Sequence, residues 1–134
     1  MLFTLYLIGY GNEVPAQLFE RLEMAGERVL VIDVRSRRRS WAWSYSAPQV
    51  EYVFKTAGHD YIWLPALGSY ALKRRTTNLT YGLRALEIQV RKQGLPVVLL
   101  CAERLSTHCH RAEIAKLLQQ RLEEDGDHLE IRPL

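Results

Sequence analysis

Arg28-Val29-Leu30-Val31-Ile32-Asp33-Val34 is a nearly continuous apolar run that stops against an arginine cluster, Arg35, Arg37, Arg38 and Arg39. A strand with one wet face alternates apolar and polar residues, whereas an unbroken run suits a strand covered on both faces of a parallel sheet. Outward from this run, apolar stretches alternate with helical patterns, the signature of parallel α/β architecture. Upstream, a strand is predicted over Leu2 to Ile8. A helix follows from Pro15 to about Ala25, with Leu18, Phe19, Leu22 and Ala25 at helical spacing and Gly26 as its stop. Downstream, Pro48 opens a second helix that Gly58 ends, and a strand covers Asp60 to Leu64. Pro65 to Thr77 reads as a long loop. A third helix spans Asn78 to Gln93 and stops at Gly94, and Pro96 to Cys101 is a fourth strand. The last helix spans His108 to Glu124 with Gly126 after it, and His128 to Arg132 is a short final strand.

The expected fold is therefore a single three-layer α/β domain. Its mostly parallel five-stranded sheet has βαβαβαβαβ order, with helices on both faces through right-handed crossovers. The 134 residues suit one domain, 1–134, and 48% hydrophobic content is enough for a core of that size. No internal repeat or low-complexity segment interrupts it. No stretch reaches the roughly 20 apolar residues of a membrane span. The opening Met1 to Gly11 lacks a basic start, a long apolar run and a small-residue cleavage site, so it reads as a strand and implies a cytoplasmic protein. Two cysteines are too few for a secreted disulfide framework.

In such sheets ligands bind beyond the C-terminal ends of the strands. Four loops converge there: Gly9 to Val14, Arg35 to Ala47, Pro65 to Thr77 and Ala102 to Thr107. The net charge of +3 is concentrated in two clusters, the arginines after Val34 and Lys73, Arg74 and Arg75. Clustered cations attract phosphates and other anions; their alternative is a solvated loop surface. Arg35 and Arg111 are expected to project toward one crevice, where paired guanidinium groups grip a phosphate or carboxylate. Internal pairing with Asp33 and Glu103 is the structural alternative. Tyr10, Gly11 and Asn12 are expected to form a tight turn aimed into the same crevice, with Ser36 and Arg37 alongside. Glu103 is either a general base or the group that orients Arg111.

The chain also resembles a known family. Ile8-Gly9-Tyr10-Gly11-Asn12, Asp33-Val34-Arg35-Ser36 with Ser40, Leu64-Pro65 with Leu67-Gly68, and Cys101-Ala102-Glu103 followed by Cys109-His110-Arg111 are similar to the motif series of domain-of-unknown-function family 488 (DUF488). Arg38 replaces a usual proline of that series and Ser69 a frequent glycine. The resemblance covers nearly the whole chain and implies a compact α/β fold with no assigned activity. Val31-Ile32-Asp33-Val34-Arg35 also has a fainter rhodanese-like character, with Cys101 at the position of the active cysteine by topology. Thr107 stands where a phosphatase loop of this type would have arginine.

Cys109 and His110 fall at the start of the last helix, where free N–H groups, the helix dipole and Arg111 favour a thiolate. Cys109 is thus one candidate nucleophile with His110 assisting proton transfer, and Cys101 is the other. Packing is the alternative for both thiols. The spacing of Cys101, His108, Cys109 and His110 matches no standard zinc pattern, so no metal is expected. Gly9-Tyr10-Gly11-Asn12-Glu13-Val14 opens like a dinucleotide fingerprint, but Val14 fills the third glycine position, so no nicotinamide or flavin cofactor is expected, and a tight turn that aims Tyr10 and Asn12 into the crevice is the reading kept. Trp41, Trp43 and Tyr45 interleave with small residues after the arginines. Such aromatics stack on nucleic-acid bases, or they serve a protein partner or a second copy of the chain. His59 and His128 lie beside strand starts and carry no expected role. The sequence thus points to an anion- or phosphate-binding module that contacts nucleic acid or a nucleotide, with a small thiol-dependent enzyme as the alternative.

Overall fold

The computed structural model describes residues 1–9, 20–34, 47–67, 77–101 and 110–133. In chain order these form β1 (Leu2–Gly9), a helical turn at 20–23 (α1), β2 (Leu30–Asp33), α2 (Ala47–Thr56), β3 (Asp60–Trp63), a 3-10 turn (Pro65–Leu67), α3 (Thr77–Gln93), β4 (Val97–Cys101), α4 (His110–Glu124) and β5 (His128–Pro133). All strand pairs are parallel, and the sheet order is β3-β2-β4-β1-β5.

That order explains the two helix layers. From β1 to β2 and from β2 to β3 the chain moves one way across the sheet; from β3 to β4 and from β4 to β5 it moves back. Crossovers of one hand then put the first two helices on one face and the last two on the other. The core divides in the same way. Phe3, Leu5, Leu7, Leu30, Ile32, Val97 and Leu99 pack under α3 and α4, while Tyr6, Ile8, Val31, Val98 and Leu100 pack with Leu22, Val50 and Phe54 of α1 and α2. Every residue of β2 is buried, as expected for a strand covered twice over. At the sheet edge the pattern relaxes. Among the residues of β5 whose burial is described, Leu129 alone is fully buried, and His128 and Arg132 are exposed, which discourages pairing with another chain.

The element order agrees with the sequence reading, and the differences lie at the ends. β2 is shorter than Arg28 to Val34, because the Val29 N–H does not join a neighbouring strand. It donates instead to Nδ1 of buried His59 at 3.1 Å, so this histidine closes the start of β2. Beside it the Arg28 guanidinium sits 2.9 Å from both Asp60 carboxylate oxygens. The stretch after β3 is not all loop: Pro65–Leu67 forms a 3-10 turn that buries Leu67 completely.

Two helices end in the same way. At Gly58 the His59 N–H reaches back to the Phe54 carbonyl and Gly58 to Lys55; at Gly126 the Asp127 N–H reaches Leu122 and Gly126 reaches Glu123. Both glycines hold positive φ, 91° and 82°, which this 6→1 cap demands and which side chains resist.

The N-terminal edge of the sheet carries an ionic network. Arg91 of α3 donates to Asp127 at 2.6 Å, to Asp125 at 3.0 Å and to Glu87 at 3.4 Å, and Arg121 of α4 meets Glu87 at 3.1 Å. The Arg91 guanidinium, and next to it the Met1 ammonium at 3.1 Å, hold the Asp127 carboxyl below the usual carboxylate range. A carboxyl depressed by folding contributes stability above its unfolded pKa, and loses it as pH falls through the folded value. Wild-type protein should therefore lose stability between neutral pH and about pH 3 more steeply than Asp127→Asn. Urea midpoints across that range measure it; parallel curves for the two proteins would rule Asp127 out as a source of the acid limb.

Candidate functional site

Parallel strands bring their C-terminal ends to one edge. There Gly9 of β1 is in register with Cys101 of β4, and Asp33 of β2 with Leu100 of β4 and Trp63 of β3. The ladder continues one residue further, since the Val34 N–H donates to the Leu100 carbonyl at 3.1 Å and Leu64 to Asp33 at 2.9 Å. β4 therefore ends between β1 and β2. The helices after β1 and β2 pack on one face of the sheet, and the helix after β4 packs on the other. Neighbouring strands whose connections leave to opposite faces open a crevice between them, the usual ligand position in open α/β sheets.

Arg111 is the second residue of α4 and is 1% exposed, the largest fully buried side chain among the described residues. The helix pattern explains this. Arg111, Ile114, Ala115, Leu118 and Leu122 recur at the spacing of one helical face, and all five are buried. The arginine is thus the top residue of an otherwise apolar stripe laid on the sheet. Its interactions with surrounding groups hold it there. A cation in the first turn stands against the helix dipole, which favours negative charge at that end. Its place in the first turn, at the positive end of the dipole, concentrates positive potential at this edge.

On the opposite face of the sheet lies a buried carboxylate. Asp33 ends β2 with no exposed surface, and the Tyr61 hydroxyl donates to its Oδ2 at 2.5 Å. Phe54 of α2 stacks on the Tyr61 ring, centroid to centroid 6.3 Å at 25°, and fixes the phenol. The sequence reading paired Asp33 with arginine alone and did not find Tyr61. Its signal was weak. Tyr61 shares a face with Val31 and Asp33 only once the Val31–Tyr61 register is known.

Of the other sequence candidates, Cys101 closes β4 and His110 opens α4. Tyr10, Gly11, Asn12, Arg35, Ser36, Arg37, Glu103 and Cys109 lie outside the described residues, as do Trp41, Trp43, Tyr45 and the Lys73 to Arg75 cluster. They belong in sequence to segments that begin where Gly9, Val34, Leu67 and Cys101 end. Among the described residues, no three His, Cys, Asp or Glu side chains come together in a way that would hold a metal ion. No described helix is long and apolar enough to cross a membrane. Comparison with protein-family models, with curated proteins and with solved structures yields no match to this chain.

Proposed function

We propose that this chain is an anion-binding module that takes a phosphate-bearing ligand, a nucleotide or a nucleic-acid backbone, at the C-terminal edge of its sheet. One observation carries the reading: the start of α4, with Arg111 inside its first turn, stands at the edge where β4 ends between two strands connected to the opposite face. Helix N-termini bind anions through unpaired N–H groups and the dipole, and the sequence after Val34 supplies Arg35, Arg37, Arg38 and Arg39. Within this proposal the motif resemblance to DUF488, a cytoplasmic setting and a protein-contact role for the Trp41–Trp43 stretch are working parts.

Titration with inorganic phosphate, a mononucleotide and a single-stranded oligonucleotide tests it. Oligonucleotide affinity should fall linearly with salt on logarithmic axes, and replacing Arg37, Arg38 and Arg39 by alanine should reduce that slope by about 2. No binding of any of the three ligands at low salt would end the proposal.

Cys101 supports a second reading, because it closes the strand that ends at the crevice. In that reading the protein is a small thiol-dependent enzyme using Cys109 or Cys101, with His110 moving the proton. Cys109, next in sequence to the first residue of α4, should then alkylate faster at neutral pH than Cys101 in single-cysteine variants, with a midpoint below about 8.5. Thiols that react only after unfolding would leave the site to the arginines.

A further inference from the structure

The outer face of α3 is cationic and aromatic. Tyr81, Arg84, Ile88 and Lys92 follow one another three, four and four residues apart, so they form one stripe along the helix, opposite the buried Leu79, Leu83, Leu86 and Val90. All four are exposed, Tyr81 at 69% and Ile88 at 52%. Glu87 is the single acidic residue of α3, and Arg91 and Arg121 hold it. Arg91 is engaged by Asp125 and Asp127 as well, whereas Arg84 and Lys92 have no carboxylate partner among the described residues. We propose that this stripe carries single-stranded nucleic acid: the phosphate-bearing ligand of the sheet edge is a strand that continues along α3, with a base on the Tyr81 ring and phosphates beside Arg84 and Lys92. The inference rests on the anion-binding reading and chooses within it the strand over the mononucleotide.

Placement supports the choice. α3 joins the parallel strands β3 and β4, so it starts at the C-terminal edge and runs back toward the other. It packs on the same face of the sheet as α4, whose first turn holds Arg111. Tyr81 and Arg84 stand in the half of α3 nearest that edge, and Lys92 lies about 16 Å further along the axis than Tyr81. A single nucleotide does not span such a stripe; a strand does. Exposed aromatics among cations are the elements of sequence-tolerant single-strand sites, where bases stack and phosphates meet charge. A duplex hides its base faces and would leave Tyr81 idle. Isolated exposed apolar residues are ordinary on protein surfaces, but Tyr81 and Ile88 share their stripe with two unpaired cations, which a polyanion complements. Two copies of the chain meeting through this face would set like charges against each other.

A labelled thymidine dodecamer and thymidine monophosphate are titrated into wild type, Tyr81→Ala, Tyr81→Phe and an Arg84→Ala, Lys92→Ala double variant. All three positions are exposed, so the variants should melt with wild type. Tyr81→Ala should weaken dodecamer binding at least about fivefold, and Tyr81→Phe should restore it. The double variant should lower the logarithmic salt slope for the dodecamer by about 1.4. Monophosphate affinity should stay the same in every variant. Unchanged dodecamer affinity in Tyr81→Ala, or an unchanged slope in the double variant, overturns the inference and leaves the anion site at the sheet edge standing. Monophosphate that binds wild type as tightly as the dodecamer does the same. Poly-glutamate that displaces the dodecamer at equal charge overturns it in favour of an acidic protein partner. Wild type that binds neither the dodecamer, the monophosphate nor inorganic phosphate removes the anion-binding reading and this inference together.

Discussion

Replacing Arg111 with alanine should destabilise the protein by about 3–5 kcal/mol, a fall in melting temperature of roughly 10–18 °C for a chain of this length. Arg111 is 1% exposed and lies on the face of α4 that packs against the sheet. Alanine removes its volume from that contact together with the interaction the residue makes there. Where the group it engages is itself buried, that group keeps its desolvation penalty once the arginine is gone. Arg111→Met should lose less than alanine, since it refills the volume and forfeits only the charge and hydrogen bonds. The difference between the two variants apportions the effect between packing and electrostatics. An alanine variant within about 1 kcal/mol of wild type would mean that the guanidinium is dispensable to the start of α4, and would weaken the anion-binding proposal with it.

A second large effect is expected at Gly82. Leu79, Leu83, Leu86 and Val90 form the buried stripe of α3, and Gly82 lies within the same face, against the turn Pro65–Leu67. A Cβ added at Gly82 would come within 2.9 Å of Leu67 Cδ2, 3.0 Å of its Cγ and 3.2 Å of the Ala66 Cβ. Leu67 is fully buried and has little room to yield. Gly82→Val should therefore cost about 2–3 kcal/mol through overpacking. In Gly82→Ala the gain in helix propensity, about 1 kcal/mol, offsets much of a smaller clash. Urea unfolding of the two variants measures the gap. If valine were as stable as alanine, the helix would be free to move off the turn, and Gly82 would reflect no close approach. The 3-10 turn matters beyond packing, because it leads directly from the sheet edge into the segment that carries Lys73, Arg74 and Arg75.

Much of this was legible in the residues. The unbroken Leu30-Val31-Ile32 and Val97-Val98-Leu99-Leu100 runs announced strands buried on both faces, and all seven of these residues are buried. Gly26, Gly58, Gly94 and Gly126 were read as helix stops, and each has a positive φ. Those signals are local: a helical period, a strand period or a left-handed residue is set by a few neighbours in sequence. The burial of Arg111 was legible by the same rule, through its spacing to Ile114, Ala115, Leu118 and Leu122, but an arginine near a cysteine and a histidine reads first as chemistry.

Local patterns along the chain set the type and order of the strands and main helices and the edge at which the polar motifs enter. The strand order β3-β2-β4-β1-β5, the pairing of Val31 with Tyr61 and the end of β4 between β1 and β2 come instead from packing between distant segments. The same packing produced the Tyr61 bond to Asp33, the His59 acceptor for Val29 and the approach of Leu67 to Gly82. The physical reason is separation along the chain. Asp33 and Tyr61 are 28 residues apart, and Val29 and His59 are 30 apart. No periodicity encodes such a meeting; it follows from which strand pairings bury the most apolar surface while satisfying every backbone hydrogen bond.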